Sequence, residues 1–156
     1  MKQIWHTHSP QETRIFGEKI GRVLQSGDLV CLAGTLGAGK TCLTGGIAAG
    51  WNALDRVSSP TFTLINEYHH RDSGAVLYHL DAYRLSGDQD ALSAGIEDVL
   101  NSDFAVIIEW PERIANLLPD SRLWIRLHIV DETTREITIE VAGKRAEEIL
   151  QTLQHA

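Results

Sequence analysis

The sequence predicts a three-layer α/β domain whose mixed sheet is parallel at its centre. Three observations carry that prediction. A short, nearly all-apolar segment, Leu29 to Ala33, runs straight into a glycine-rich loop and then into a helical pattern. A second continuously apolar run, Phe104 to Glu109, has the same character, that of a strand covered on both faces. Late segments instead alternate apolar and polar residues, and helical patterns are interspersed throughout.

Taken in order, Ser9-Pro10-Gln11-Glu12 reads as a helix start. Ser9 can cap, Pro10 suits the first helical position and Glu12 can close a capping box. Ile15, Phe16, Ile20, Val23 and Leu24 follow at helical spacing until Ser26-Gly27-Asp28 ends the run. After the loop at 34–39, Lys40 to about Trp51 reads as a second helix. Thr63 to His69 and Ala75 to Asp81 read as two strands joined by the turn Arg71-Asp72-Ser73-Gly74. Gly87 to Leu100 reads as helix with a break near Gly95. Leu123 to Ile129 and Ile137 to Val141 alternate strictly and read as half-buried, antiparallel-type strands. Lys144 to Leu153 closes the chain as a helix.

Composition narrows the functional classes. At ~150 residues per domain, 156 residues form one domain, 1–156. Hydrophobic residues at 43% and charged residues at 22% exclude a disordered, collagenous or coiled-coil chain. Fourteen basic against 21 acidic side chains give a net charge of −7, the wrong sign for a free-standing binder of nucleic acid or anionic membrane. Two cysteines, Cys31 and Cys42, are too few for a disulfide framework and read as two buried thiols. No apolar run approaches the ~20 residues of a membrane span, and no charged-then-apolar leader opens the chain. The expectation is a soluble, cytoplasmic protein.

Gly34-Thr35-Leu36-Gly37-Ala38-Gly39-Lys40-Thr41 fits G-x-x-x-x-G-K-[ST] completely. In such a loop, backbone N–H groups cradle the nucleotide phosphates, and side chains in place of the glycines would block their approach. The helix that follows presents its free N–H groups and positive dipole end to the same anion. Lys40 can reach the outer phosphates, and the Thr41 hydroxyl can bind Mg²⁺. With a buried strand before it and a helix after it, the motif predicts a P-loop NTPase-type domain that binds a nucleoside triphosphate.

The metal also needs a carboxylate, and two strands end in one, at Asp81 and at Glu109. In an open α/β sheet ligands sit beyond the carboxyl ends of the parallel strands, so both acids can face the phosphates. The Phe104 segment is the stronger match to a Walker B strand because it is continuously apolar. Weaker signals surround these. His79-x-Asp81 can contribute to a metal site, but no third ligand follows at short spacing, so no transition metal is expected. Trp110, directly after Glu109, either stacks on a base or a partner or closes the core strand.

Four segments, GTLGAGKT at 34–41, SSPTFTLINEY at 58–68, YHLDAYRL at 78–85 and IIEWPERI at 107–114, occur in an order and spacing that resemble the TsaE (YjeE) family. The resemblance spans roughly residues 10 to 145. Members are small bacterial P-loop ATPases needed for the threonylcarbamoyl-adenosine modification of tRNA. It implies a cytoplasmic ATPase, weak until its partners are present, that works with a TsaD–TsaB pair and meets tRNA only through that complex. It implies that Leu36 to Thr41 hold the phosphates of ATP, that Thr41 and Glu109 hold Mg²⁺, and that Asp81 lies near the metal or the attacking water. Ser59, Pro60 and Thr61 resemble a loop that senses the γ-phosphate, and Trp110 matches a family tryptophan near nucleotide and partner. Two positions depart from the family pattern: Thr35 stands where an acid is usual, and Gly45 where an arginine or similar is usual. The adenine contacts stay unassigned, with 10–13 and Arg135 as edges of that pocket.

Two other classes compete. A small-molecule P-loop kinase needs a lid of arginines over the transferred phosphoryl group, and the ten arginines here are dispersed. A nucleotide-gated binding module without significant hydrolysis differs only in whether partners raise ATP turnover. A GTPase is disfavoured because the four lysines leave no Asn-Lys-x-Asp motif.

Overall fold

The computed structural model describes residues 1–58 and 65–155. Among them, seven strands form one sheet: β1 (Lys2–Thr7), β2 (Leu29–Gly34), β3 (Ile65–His69), β4 (Val76–Asp81), β5 (Ala105–Glu109), β6 (Arg122–Ile129) and β7 (Arg135–Ala142). Their spatial order is β1-β7-β6-β2-β5-β4-β3. The four central strands β6, β2, β5 and β4 are mutually parallel, and antiparallel pairings flank them on both sides. The sheet is therefore mixed and parallel at its centre, as the sequence predicts.

Helices cover both faces. Alternate residues of β2 divide between two apolar clusters: Val30 and Leu32 join α1 (Pro10–Val23), α2 (Lys40–Gly50) and α5 (Lys144–Gln154). Leu29 and Cys31 join α3 (Asp88–Ser93), α4 (Ile96–Leu100) and the 3₁₀ turn Pro111–Leu117. Burying each Ile or Leu of these layers contributes about 1.5–3 kcal/mol. Gly95, in the left-handed region at φ 74°, separates α3 from α4 at the expected break. Ser9 caps α1 by accepting from the Glu12 N–H at 3.1 Å, while the Glu12 carboxylate reaches back to the His8 N–H at 2.6 Å. At the far end of that helix, Arg145 of α5 donates to both carboxylate oxygens of Asp28 and to the Val23 carbonyl.

The structure goes beyond the sequence pattern at three points. β1 has no counterpart in the periodicity because its most apolar residue, Ile4, points outward and is half exposed. β6 and β7 pair antiparallel as expected, but on its other edge β6 pairs parallel with β2, which its alternation does not reveal. Cys31 is buried but Cys42 only half so, its thiol donating to the Pro10 carbonyl at 3.0 Å. Burial pushes the Cys31 thiol up to about 12, which leaves it inert.

α1 and α2 meet backbone to backbone. A methyl group at Gly17 or Gly21 would run into the carbonyl oxygens of Leu43 or Ile47. In return, one at Gly46 or Gly50 would run into those of Arg14 or Glu18. The interlock fixes where the first turn of α2 stands, and with it the glycine loop. Gly21→Ala and Gly46→Ala are each expected to cost about 1–3 kcal/mol by overpacking, read as a lowered urea midpoint. Gly74→Asn, at φ 71° with nothing within 4 Å, should stay within about 1 kcal/mol of the parent. Equal losses at all three positions would contradict the interlock.

Candidate functional site

The site lies at the carboxyl ends of the parallel strands. Register places Leu32 opposite Glu109 across β2 and β5, and Glu109 opposite Asp81 across β5 and β4. Both acids thus stand level with the last residues of β2, where the chain turns into the glycine loop. Leu77, His79 and Asp81 share one face of β4, and Ile107 and Glu109 the matching face of β5, because strand side chains alternate. That face is the one α1 and α2 cover.

Local chemistry explains the loop. Gly34, at the end of β2, packs so closely on β6 that an added methyl would stand 2.9 Å from the Leu127 carbonyl oxygen. Gly37 and Gly39 take φ of 82° and 108°, and Gly39 caps α2. The loop is held from within by the Ala38 N–H on the Thr35 carbonyl at 3.1 Å. From outside, Arg135 Nε donates to the Ala38 carbonyl at 3.1 Å. Leu36, at the tip, is 87% exposed, and Thr41 is exposed on the first turn of α2. Pro10, through Cys42, and Thr13, whose methyl lies 3.9 Å from a methyl built at Gly39, bring the 10–13 segment beside the loop as Arg135 does from the other side.

Lys40 is only 7% exposed. Its Nζ donates to the Gly34 carbonyl at 2.5 Å and lies 3.8 Å from the centre of the Trp110 ring. Desolvation lowers its pKa, against the opposing pull of Glu109, Glu112 and Asp81. Trp110 occupies the left-handed region at φ 57°, an uncommon conformation for a bulky residue. Its ring also meets that of Tyr83 at a tilt, 5.0 Å between centroids, and Arg113 lies over the Tyr83 ring. Burial raises the pKa of Asp81, and the nearby Glu109 adds to that; the Tyr83 N–H, donating to Asp81 Oδ1 at 2.9 Å, works the other way.

The structure therefore gathers Gly34, Thr35, Leu36, Gly37, Ala38, Gly39, Lys40, Thr41, Asp81, Glu109 and Trp110 at one edge of the sheet. Thr61, with Ser59 and Pro60, lies outside the described residues. The donor set fits a hard cation: two carboxylates and a hydroxyl, all oxygen, suit Mg²⁺. His79 does not join them. Its Nε2 is hydrogen-bonded to Glu109 at 2.7 Å and its Nδ1 to the Tyr68 hydroxyl at 2.9 Å, so both ring nitrogens are occupied. Sequence reasoning placed His79 beside Asp81 as a weak metal ligand. The signal it missed is the shared face of β4 and β5, which turns His79 toward the other acid.

Residues 7–137 match the family described as Threonylcarbamoyl adenosine biosynthesis protein TsaE. The tRNA threonylcarbamoyladenosine biosynthesis protein TsaE of Treponema pallidum (strain Nichols) is 39% identical over 133 residues, 85% of this chain and 96% of that one. The protein of that name from Bacillus subtilis (strain 168) is 36% identical over 154 residues, 98% of this chain and 95% of its own. The crystal structure of Bacillus subtilis YdiB superposes with a TM-score of 0.82 at 31% identity, covering 99% of this chain and 95% of that one. With its loop, its two strand-end acids and its strand order in place, the chain belongs to the TsaE family.

Proposed function

We propose that this protein is a cytoplasmic, Mg²⁺-dependent ATPase required for threonylcarbamoyl-adenosine modification of tRNA, acting with a TsaD–TsaB-like pair. One observation carries the ATPase reading: the β4–β5 register sets Asp81 and Glu109 side by side under the Gly34–Thr41 loop. The relatives' names supply the pathway. Among the described residues no helix is long and apolar enough to cross a membrane. The net charge of −7 and the dispersed arginines favour tRNA contact through partners, since tRNA binding depends on neutralising phosphates.

In this reading the loop backbone and the first turn of α2 receive the phosphates of ATP. Thr41, Asp81 and Glu109 would hold Mg²⁺, which when bound offsets charge on the phosphate oxygens. Lys40 supplies the other positive charge. It must first leave the Gly34 carbonyl and the Trp110 ring, and that cost supports a low basal rate. Trp110 meanwhile shields the Lys40 ammonium from water. Glu109, buried to 5% exposure, either binds the metal directly or orients the attacking water. For hydrolysis to do work, ATP and ADP states must bind the partners differently.

Lys40→Met tests the site from both sides. It removes a desolvated charge but little volume, so thermal stability should be unchanged or higher while ATP affinity falls tenfold or more. A Tm lowered by more than about 4 °C, roughly 1 kcal/mol at this size, or unaltered ATP affinity by calorimetry, would contradict it. Glu109→Gln and Asp81→Asn should each retain ATP binding and lose Mg²⁺-dependent hydrolysis. Hydrolysis by the wild-type chain should rise when a TsaD–TsaB pair is added, and association with that pair should require ATP. Association indifferent to nucleotide, or tight tRNA binding by the chain alone, would overturn the assignment.

A further inference from the structure

A buried polar chain runs from the strand-end acid to the protein surface. Glu109 Oε2 is 2.7 Å from His79 Nε2, His79 Nδ1 is 2.9 Å from the Tyr68 hydroxyl, and that hydroxyl donates to the Ser58 carbonyl at 3.1 Å. His79 is 0% and Tyr68 2% exposed, whereas Ser58 is exposed. The Ser58 carbonyl is fixed in turn by a second donor, Asn66 Nδ2, at 3.0 Å. We propose that His79 is a positioning residue that orients the Glu109 carboxylate, and that Tyr68, anchored on Ser58, fixes the His79 ring. The proposal rests on the reading of Glu109 as part of the Mg²⁺·ATP site.

The Tyr68 hydroxyl bridges the Ser58 carbonyl and His79 Nδ1, so the ring is held with its other nitrogen, Nε2, facing Glu109. Packing alone does not call for this arrangement. His79 shares its face with Leu77 and abuts Ile107, both fully buried, and an aliphatic side chain there would avoid the desolvation of three polar groups. The polar chain instead holds one carboxylate oxygen in place and leaves the other for a ligand. It also ties that oxygen to backbone at the surface, so a contact that moves Ser58 moves Glu109.

The test uses the isosteric halves of histidine. Glutamine at 79 places an amide nitrogen near the former Nε2 and keeps a donor to Glu109; asparagine places one near the former Nδ1 and keeps only the Tyr68 side. In the full-length protein, His79→Asn should raise the Mg²⁺ concentration for half-maximal hydrolysis or lower kcat by about 10–100-fold. ATP affinity measured in EDTA should not change, and His79→Gln should recover most of the loss. A second readout needs no nucleotide. With ¹³C-labelled glutamate, Tyr68→Phe should shift the Glu109 side-chain carboxyl resonance, assigned by its loss in Glu109→Gln, while the backbone spectrum stays that of the folded protein. Equal losses in the Asn and Gln variants, wild-type Mg²⁺ dependence together with wild-type kcat in His79→Asn, or an unmoved Glu109 resonance in Tyr68→Phe would each overturn the positioning role. If the wild-type chain binds no ATP, the ATPase reading fails, and the carboxyl resonance alone decides whether Tyr68 and His79 hold Glu109.

Discussion

Strand β2 has parallel neighbours on both sides, and everything at the site depends on that placement. Because β5 runs beside it in the same direction, the turn into the glycine loop and the carboxylate of Glu109 emerge at the same edge. Because β4 runs parallel to β5 in a register that faces Asp81 with Glu109, the second acid arrives there as well. A shift of one residue in either pairing would send an acid to the opposite face, among Leu80 and Ile108, away from the face that α1 and α2 cover. The apolar composition of β2, and of β5 up to Glu109, is what allows both to be central.

Two further constraints position the loop on that edge. The glycines of α1 and α2 let the two helix backbones approach until carbonyl oxygens occupy the space of side chains, so α2 cannot slide or rotate freely. Arg135, reaching from β7 to the Ala38 carbonyl, holds the loop's flank. The loop is thus held on both sides, by α1 against α2 and by Arg135. The site stores local cost elsewhere, in a desolvated Lys40 and a left-handed Trp110. Such cost gathered at one spot supports the proposed reading of this edge as a ligand site.

Much of this was legible in the sequence. The loop spacing, the apolar strands around it and the two strand-end acids all follow from local pattern, and local pattern is what periodicity reports. The break at Gly95 followed from the same logic. Less was legible where the answer depends on which strand lies beside which. β1 was missed because Ile4 faces out and its inward residues are Gln3, Trp5 and Thr7. β6 alternates, in keeping with its antiparallel pairing with β7, yet its other edge pairs parallel with β2, and alternation does not report which strand lies there. His79 stands near Asp81 in sequence, and only the β4–β5 pairing shows that its ring faces Glu109. The stacking of Lys40 under Trp110 joins residues seventy apart and has no local signature at all.

If the proposal holds, the glycine loop and the two strand-end acids form one site for ATP with Mg²⁺. The most direct measurement is a crystal structure of this chain with a non-hydrolysable ATP analogue and Mg²⁺. The triphosphate is expected in the Gly34–Thr41 loop, with Lys40 Nζ moved from the Gly34 carbonyl to a phosphate oxygen. The metal is expected to be held, directly or through water, by the Thr41 hydroxyl and by Glu109 or Asp81. A nucleotide bound elsewhere, or bound in the loop with Lys40 still on Gly34 and neither acid near the metal, would contradict it.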